Sequence, residues 1–444
     1  MNRLAWLLAS PLLVSPLHAA DLLQIYREAQ TNDAVYAAAR ANLEAGQEKL
    51  PQARAGLLPT LGVSGNTQWN ENEIRRRDGD ILAKPNFNSN GYTVSLSQPL
   101  FRWQNWVAYD QSKFLVAQAE ANYVQASQDL ILRTAQAYFD VLYATENLKA
   151  VRANKLAIEQ QLASAKKNFE VGTATITDSQ EAQARFDLAI AQEIGAESDL
   201  EVKQRALQAI IGKEAGALAP VRKDAQMSPP EPADMKAWAA AAEKDSITVQ
   251  IQQAAAEIAA REVDKQRAGH YPTVDLVANA GNTTTFGSTV TGSLDTDFRN
   301  VGIQMSLPIF QGGQVMSRQR EASANRAAAE SNLEAARRNA ALAARQYYLG
   351  VANGLAQVRA LKAALISSQS SLESNKLGYE VGVRINIDVL NAENQVYVTR
   401  RDLAKAALDT LMAQLKLKAA VGTLGEDDVV AVNGLLDPTT TATP

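Results

Sequence analysis

Histidine and cysteine, the side chains that most often carry catalytic or metal chemistry, are scarce in this 444-residue sequence. There is no cysteine, and the two histidines are His18 and His270. A Ser-His-Asp triad, or a zinc site built from several His or Cys ligands, is therefore hard to assemble. His270, in "RAGHYPTV", is better explained as a residue at the junction between two elements than as a catalytic base. The sequence indicates neither an enzyme nor a cofactor or metal site.

Two similar stretches offer hydrogen-bonding chemistry instead. "NFEVGTATITD" at 168–178 and "GYEVGVRINID" at 378–388 lie 210 residues apart, and each ends in Asp. Gly172 and Gly382 allow a tight turn. Asp178 and Asp388 are then expected to open the following helices. In "DSQE" at 178–181, Asp178 at the N-cap and Glu181 at N3 would form a variant of the capping box.

The composition is that of a folded protein. Hydrophobic residues make up 46% and charged residues 21% of the chain, which is long enough for two or three domains. The formal charge of −4 gives no reason to expect nucleic acid as a partner.

The N-terminus resembles a secretory signal peptide. "MNRLAWLLASPLLVSPLHAA" at 1–20 has a basic residue, an apolar run and small residues at Ala19 and Ala20. A structural N-terminal helix is the alternative. The absence of cysteine fits a protein that works outside the cytoplasm without disulfides.

The chain is an internal duplication. "LQAIIG" at 207–212 matches "LKAAVG" at 417–422, "SQPLF" at 97–101 matches "SLPIF" at 306–310, and all offsets fall between 209 and 213 residues. We divide the mature chain into a first repeat (21–226), a Pro-rich linker "MSPPEPADM" (227–235), a second repeat (236–422) and a C-terminal segment and tail (423–444).

A coiled-coil seam in each repeat predicts long helices. Apolar or small residues recur with 4-3 spacing from Leu130 to Phe169, and positions from Val358 to Tyr379 repeat the pattern. A helix from about Asn105 to Phe169 would be about 100 Å long at roughly 1.5 Å per residue. Each helix should turn at a tip, at 170–177 and 380–387, and return as a second helix.

Between the helices the apolar pattern has a period of two. Strand pairs are predicted at about 60–69 and 92–100, and at about 273–283 and 299–308. Leu61 and Val63, for example, alternate with Gly62 and Ser64. One apolar face and one small polar face are typical of a transmembrane β-barrel, although a soluble antiparallel sheet gives the same alternation.

Aromatic residues and prolines are expected to mark the strand ends, and polar outer loops should join the strands at 70–91 and 284–298. The residues in question are Tyr92, Phe101, Trp103, Trp106, Phe298 and Phe310, with Pro59, Pro99, Pro272 and Pro308.

Four strands cannot close a barrel, and lipid does not tolerate open edges, so the chain must oligomerise. Two copies would supply eight strands and a bore filled by side chains; three would supply twelve and an open bore. Helices of about 100 Å must project from a bilayer core about 30 Å thick.

The sequence resembles a known protein family. The signal peptide, the two halves, "FEVGTATITD", "YEVGVRINIDVL" and "LKLKAAVGTLGEDDV" look like the TolC family of outer-membrane channel-tunnels, over essentially the whole mature chain. The resemblance implies an α+β membrane protein, a homotrimer with a twelve-stranded barrel, four strands per chain, continued by an antiparallel α-helical periplasmic tunnel with an equatorial belt. It also implies location in the outer membrane, projecting into the periplasm, and docking through a periplasmic adaptor onto an inner-membrane ABC or proton-driven pump.

The resemblance further assigns roles at the tips. Arg384 matches an arginine that bridges to a neighbouring tip, where its partners would be Thr177 and Asp178. Tyr379 would join Asp178 and Gln161. Together these residues would form a periplasmic gate, although helix capping alone also explains Asp178.

Asp388 matches a carboxylate ring that lines the family's constriction. Asn391 stands where the family pattern has a second Asp, so one charged ring and weaker block by multivalent cations are expected. The adaptor-docking points would be Val171, Gly172, Val381 and Gly382. A simple helix C-cap explains the two glycines equally well.

The sequence is compatible with three functions: an export conduit, a soluble periplasmic coiled-coil protein and a surface enzyme. The conduit is favoured, and it serves either type I protein secretion or multidrug efflux. The missing cysteine after the signal peptide argues against the lipoprotein branch of efflux channels and therefore leans towards secretion.

Overall fold

A computed structural model describes residues 19–83, 86–173, 175–222, 225–288 and 292–437 of the chain. The predicted signal peptide lies outside these residues except for Ala19 and Ala20, and so does the tail beyond 437.

Long helices and one four-stranded sheet dominate the described residues. The helices are α1 Leu22–Asn32, α2 Ala34–Gln47, α3 Lys49–Ala55, α4 Trp103–Glu170, α5 Ile176–Ile211, α6 Met235–Asp245, α7 Ile247–Arg267, α8 Gln314–Glu380, α9 Asn386–Ala420 and α10 Glu426–Asn433. The strands are β1 Thr60–Glu71, β2 Ile74–Arg75, β3 Ile81–Ala83, β4 Asn86–Phe101, β5 Thr273–Ser288 and β6 Gly292–Ser306. None of the helices in this part of the chain is long and apolar enough to cross a membrane.

The chain divides into two compact units. Arg40–Tyr123 and Thr248–Arg337 form the sheet unit, and the other described residues form the helical unit.

The sheet unit is built on antiparallel strands in the order β1-β4-β5-β6. Directly opposite residues share a face, so the register Leu61↔Leu96, Leu96↔Ala278 and Ala278↔Val301 gathers apolar side chains on one face. Leu61 is 72% exposed and Val301 76% exposed. A face this apolar and this exposed is suited to lipid.

The opposite face of the sheet is polar. Gly62, Ser95, Asn279 and Asn300 lie in one row across the four strands. The amide of Asn279 donates to Asn300 Oδ1 at 3.0 Å.

The strands are longer than the alternation predicts, and the loops expected at 70–91 and 284–298 are correspondingly shorter. β1 and β4 pair out to Glu71↔Asn86, and β2 and β3 form a small hairpin between them. The prediction ended too early because the outer strand residues are mostly polar, and the few apolar ones, such as Phe87, Phe286 and Leu294, do not alternate regularly. For the same reason Tyr92 and Phe298 lie inside β4 and β6 rather than at their ends.

Pro99 lies within β4, two residues before its end, in line with the strand predicted at about 92–100. A register shift between Pro99 and Phe101 accommodates it in the pairing with β5. Immediately after this irregularity, Arg102 forms a bidentate ion pair with Asp275 of β5, at 2.8 and 2.6 Å. This pair fixes the end of β4 to β5.

The chain forms two helical hairpins: the first hairpin is α4 with α5, and the second hairpin is α8 with α9. The helical unit contains α4 from Val124 onward, α8 from Arg338 onward, and all of α5 and α9. The predicted long helix is present as α4, which begins two residues before and ends one residue after the expected bounds. Seam residues such as Leu130, Leu148 and Ile158 are buried, whereas Phe169 at the end of the seam is exposed. The 4-3 spacing therefore identified the packed face of α4 correctly for most of its length.

Candidate functional site: the hairpin tips

Both tips turn in the same way. α4 ends in hydrogen bonds from the backbone N–H groups of Gly172 to Phe169 O at 3.0 Å and Thr173 to Asn168 O at 2.8 Å. In the second hairpin, Gly382 donates to Tyr379 O at 3.1 Å and Val383 to Gly378 O at 2.8 Å. Gly172 and Gly382 both have φ +78°, the left-handed conformation that glycine adopts at helix C-termini. The repeated sequence therefore encodes a repeated turn.

Each tip exposes apolar side chains. Val171 is 66% exposed and Val381 is 65% exposed, while Val383, Ile385 and Ile176 are also exposed. Exposed aliphatic residues next to a glycine turn suit contact with another protein.

The returning helices begin three residues earlier than predicted. Thr175, not Asp178, is the N-cap of α5, and Asp178 rather than Glu181 occupies N3. The Thr175 hydroxyl accepts from the Asp178 backbone N–H at 3.3 Å, and the Asp178 carboxylate accepts from the Thr175 backbone N–H at 3.0 Å. Asp388 likewise lies in the first turn of α9, which follows Ile385 as N-cap. These carboxylates stabilise helix N-termini without being the caps themselves.

Most of the predicted gate residues have partners within the single chain. Thr177 Oγ1 lies 2.6 Å from Thr175 Oγ1. Tyr379 Oη accepts from Asn168 Nδ2 at 3.2 Å, which links the second hairpin to the first. Arg384 Nη1 lies 3.6 Å from Asp388 Oδ2, four residues later in the sequence. Gln161 is half-buried on α4. The bridge from Arg384 to Thr177 and Asp178 of a neighbouring copy stays a prediction.

Three contacts at the tips were not predicted. Asn391, expected in the constriction ring, accepts a hydrogen bond from Arg185 Nη2 of α5 at 3.1 Å. Lys376 forms an ion pair with Glu393 at 2.8 Å, joining α8 to α9. The third is the hydrogen bond from Asn168 to Tyr379 described above. Arg185 lies seven residues after Asp178, a spacing that keeps both on one helical face, and this was the available signal.

Buried apolar side chains pack between the helices that lead to the tips. Leu162, Ala165 and Ala182 form a cluster inside the first hairpin, and Ile158, Ala189 and Leu390 form another that includes both hairpins. Phe186 packs against both clusters. The tips are therefore carried on packed helices rather than on loose loops.

A charged network lies further along the first hairpin. Lys155 Nζ is 2.7 Å from Glu193 Oε2, and Arg152 contacts both Glu193 at 3.3 Å and Glu197 at 2.8 Å. The hydrogen bond from Lys155 lowers the pKa of Glu193, with Arg152 adding to the effect. This network joins α4 to α5 independently of the tips.

Comparisons with known proteins define the class. The chain can be superposed on the outer-membrane channel CmeC of Campylobacter jejuni with a TM-score of 0.80 and 18% identity, covering 94% of this chain and 90% of CmeC. The fold is therefore that of an outer-membrane channel, as the sequence predicted.

The sequence comparisons then give the family. A profile described as "Outer membrane efflux protein" matches residues 25–213 and 241–423. Outer membrane protein TolC of Vibrio cholerae is 31% identical, covering 95% of both chains. Alkaline protease secretion protein AprF of Pseudomonas aeruginosa is 31% identical, covering 97% of this chain and 91% of AprF. The chain belongs to the outer membrane efflux protein family, and the predicted membership of the TolC group and the outer-membrane location are confirmed.

Proposed function

We propose that this outer-membrane export channel works as a homotrimer in a type I secretion system. It would receive its substrate, a protein, from an inner-membrane ABC pump through a periplasmic adaptor. The relative AprF, named for the secretion of alkaline protease, supports a protein substrate. Expulsion of small molecules, driven by an ABC or proton-driven pump, is the second candidate, and the name of the family supports it.

The observation that carries the proposal is the incomplete sheet. The four-stranded sheet of one chain ends in β1 on one side and β6 on the other, and one of its faces is apolar and exposed. Open edges are not stable in lipid, so β1 of one copy should pair with β6 of the next. Three copies would supply twelve strands, enough for an open bore.

At the hairpin tips, the channel would be gated by weak polar contacts. Arg384 would leave its partner Asp388 and bridge to Thr177 and Asp178 of a neighbouring copy, with Tyr379 and Gln161 adding hydrogen bonds. The long contact of 3.6 Å between Arg384 and Asp388 supports this, because a weak local pair is easily exchanged for a better one.

The exposed tips would provide the docking points for the adaptor. Val171 and Val381 offer apolar surface, and Gly172 and Gly382 permit close approach of a partner backbone. The adaptor would thus contact both hairpins through equivalent turns.

The test is the protein content of the growth medium. We would compare the extracellular proteome of a strain lacking this protein with its parent and with the complemented strain. Loss of one large secreted protein, restored by complementation, is the expected result. An unchanged medium together with new sensitivity to small toxic compounds would overturn the secretion proposal and favour efflux.

A further inference from the structure

We propose that Arg185 is a positioning residue that keeps the channel closed by holding the two hairpins of one chain together through Asn391. The inference rests on the proposed function, because separation of the hairpins matters only if their tips gate a channel. In the sequence, only its spacing of seven residues from Asp178 connects Arg185 with the tips.

The contact joins distant parts of the chain. Arg185 Nη2 donates to Asn391 Oδ1 at 3.1 Å, from α5 of the first hairpin to α9 of the second, across 206 residues of sequence. On its own helix Arg185 also lies 3.7 Å from Glu181, one turn earlier. The side chain of Arg185 is 32% exposed, so part of its surface is removed from water. The arginine therefore spans two helices that only tertiary structure brings together.

Within each hairpin, the helices are joined by durable contacts. In the second hairpin, Lys376 meets Glu393, whose side chain is only 5% exposed. In the first, Leu162 of α4 and Ala182 of α5 share a buried cluster. Removing the partner of a buried charge, or opening a buried core, costs a large free energy.

Two polar contacts that join the hairpins near the tips have neutral acceptors. Arg185 donates to the amide oxygen of Asn391, and Asn168 donates to the hydroxyl of Tyr379 at 3.2 Å. A partly exposed hydrogen bond of this kind contributes a modest net stability and can be exchanged for hydrogen bonds to water. Separating the two hairpins also opens the buried cluster of Ile158, Ala189 and Leu390. Among the polar contacts between the hairpins, the Arg185–Asn391 bond is one that opening must break.

Asn391 sets the strength of this contact. An aspartate at the same position would replace this bond to a neutral amide with an Arg–carboxylate ion pair, in which both partners are charged. The hydrogen bond between Arg185 and Asn391 is therefore weaker, and easier to break, than an Arg–carboxylate pair at the same place would be.

The test measures single-channel currents of the purified protein in planar bilayers. Arg185→Ala should raise the open-to-closed ratio by about five- to thirtyfold, the range expected for loss of a modest interaction. Arg185→Lys, which retains a charged donor, should lie between Arg185→Ala and the parent. Asn391→Asp should lower the ratio, but only while Arg185 is present. In the Arg185→Ala background, Asn391→Asp should leave the open-to-closed ratio unchanged.

Arg205→Ala is the matched control. Arg205 is on the same helix and also pairs with a glutamate one turn earlier, Glu201, at 2.8 Å, but its other partners, Gln208 and Glu214, lie close to it in sequence. Equal ratios for Arg185→Ala and Arg205→Ala, or an effect of Asn391→Asp that persists without Arg185, would overturn the inference. A parent protein that forms no conducting pore would instead overturn the proposed function and the inference with it. Equal thermal stability of the two alanine variants would show that Arg185 acts on opening rather than on folding.

Discussion

At the scale of single residues, the charge of Asp388 is the simplest property of the tip to test. Its carboxylate lies in the first turn of α9, and Arg384 is close enough to screen it only in part. Three such carboxylates around one axis would attract cations and resist anions.

Asp388→Asn should therefore bring the cation-to-anion permeability ratio of the channel close to one and weaken block by multivalent cations. Reversal potentials across a salt gradient would measure this ratio. Asp187→Asn, which removes an exposed carboxylate bonded to Gln183 on α5, is the control and should leave the ratio unchanged. An unaltered ratio in Asp388→Asn would show that Asp388 does not line the constriction.

Asp33 shows how a single buried carboxylate makes stability depend on pH. Burial raises the pKa of Asp33, but hydrogen bonds from Arg133 and from the Tyr36 backbone N–H outweigh burial and leave the pKa below its ordinary value of 3.8. Two guanidinium nitrogens of Arg133 donate at 3.1 Å, and Tyr36 donates at 2.7 Å. A lowered pKa means that the unfolded chain takes up the proton first as pH falls.

The stabilisation from Asp33 should accordingly be complete above pH 4 and be lost as pH falls through the lowered folded-state pKa. Asp33→Asn should destabilise the protein at neutral pH by about 1–3 kcal/mol and remove this part of the acid sensitivity. Thermal unfolding followed by circular dichroism between pH 3 and 7 would measure both effects. Asp129→Asn is the control, since Asp129 pairs with the same arginine at 2.9 Å but is 55% exposed. Equal pH dependence of the two variants would contradict the assignment.

At the scale of elements, the tips depend on two glycines in the left-handed conformation. Gly172→Ala or Gly382→Ala should cost about 1 kcal/mol locally, because a side chain disfavours φ near +78°. The helices should survive, but close approach of the adaptor should fail. Yields of in vivo cross-linking to the adaptor would measure docking.

Gly195→Ala provides the comparison. Gly195 lies inside α5 with nothing within 4 Å of the position that a Cβ would occupy, so alanine there should be neutral or slightly stabilising. Normal cross-linking of the two tip variants would mean that Gly172 and Gly382 serve only as helix caps.

Periodic patterns in the sequence predicted the elements better than their ends. The seam from Leu130 onward and the alternation around Leu61 and Val63 both identified the correct faces, because burial and lipid contact act on whole faces. The start of α5 was missed because Thr175 competes with Asp178 for the N-cap, and both are good capping residues.

Contacts between the hairpins could not be predicted from the sequence. Arg185 and Asn391 are 206 residues apart, and neither interrupts a periodic pattern. The partner of Tyr379 within the chain proved to be Asn168 because the turn geometry brings the end of α4 beside the end of α8. Such pairs follow from packing rather than from local sequence preference.

At the scale of the whole molecule, the duplication explains why one chain carries two strand pairs and two hairpins. Each half contributes one pair, β1 with β4 or β5 with β6, and one hairpin. The family profile also matches the chain twice, at 25–213 and 241–423. Four strands remain too few to enclose a bore, so the proposed function depends on assembly.

The central claim is therefore that three chains build the channel, and native mass spectrometry of the protein extracted from outer membranes into detergent tests it most directly. We predict a single assembly with the mass of three mature chains. One chain, or two chains with eight strands and a filled bore, would contradict the account.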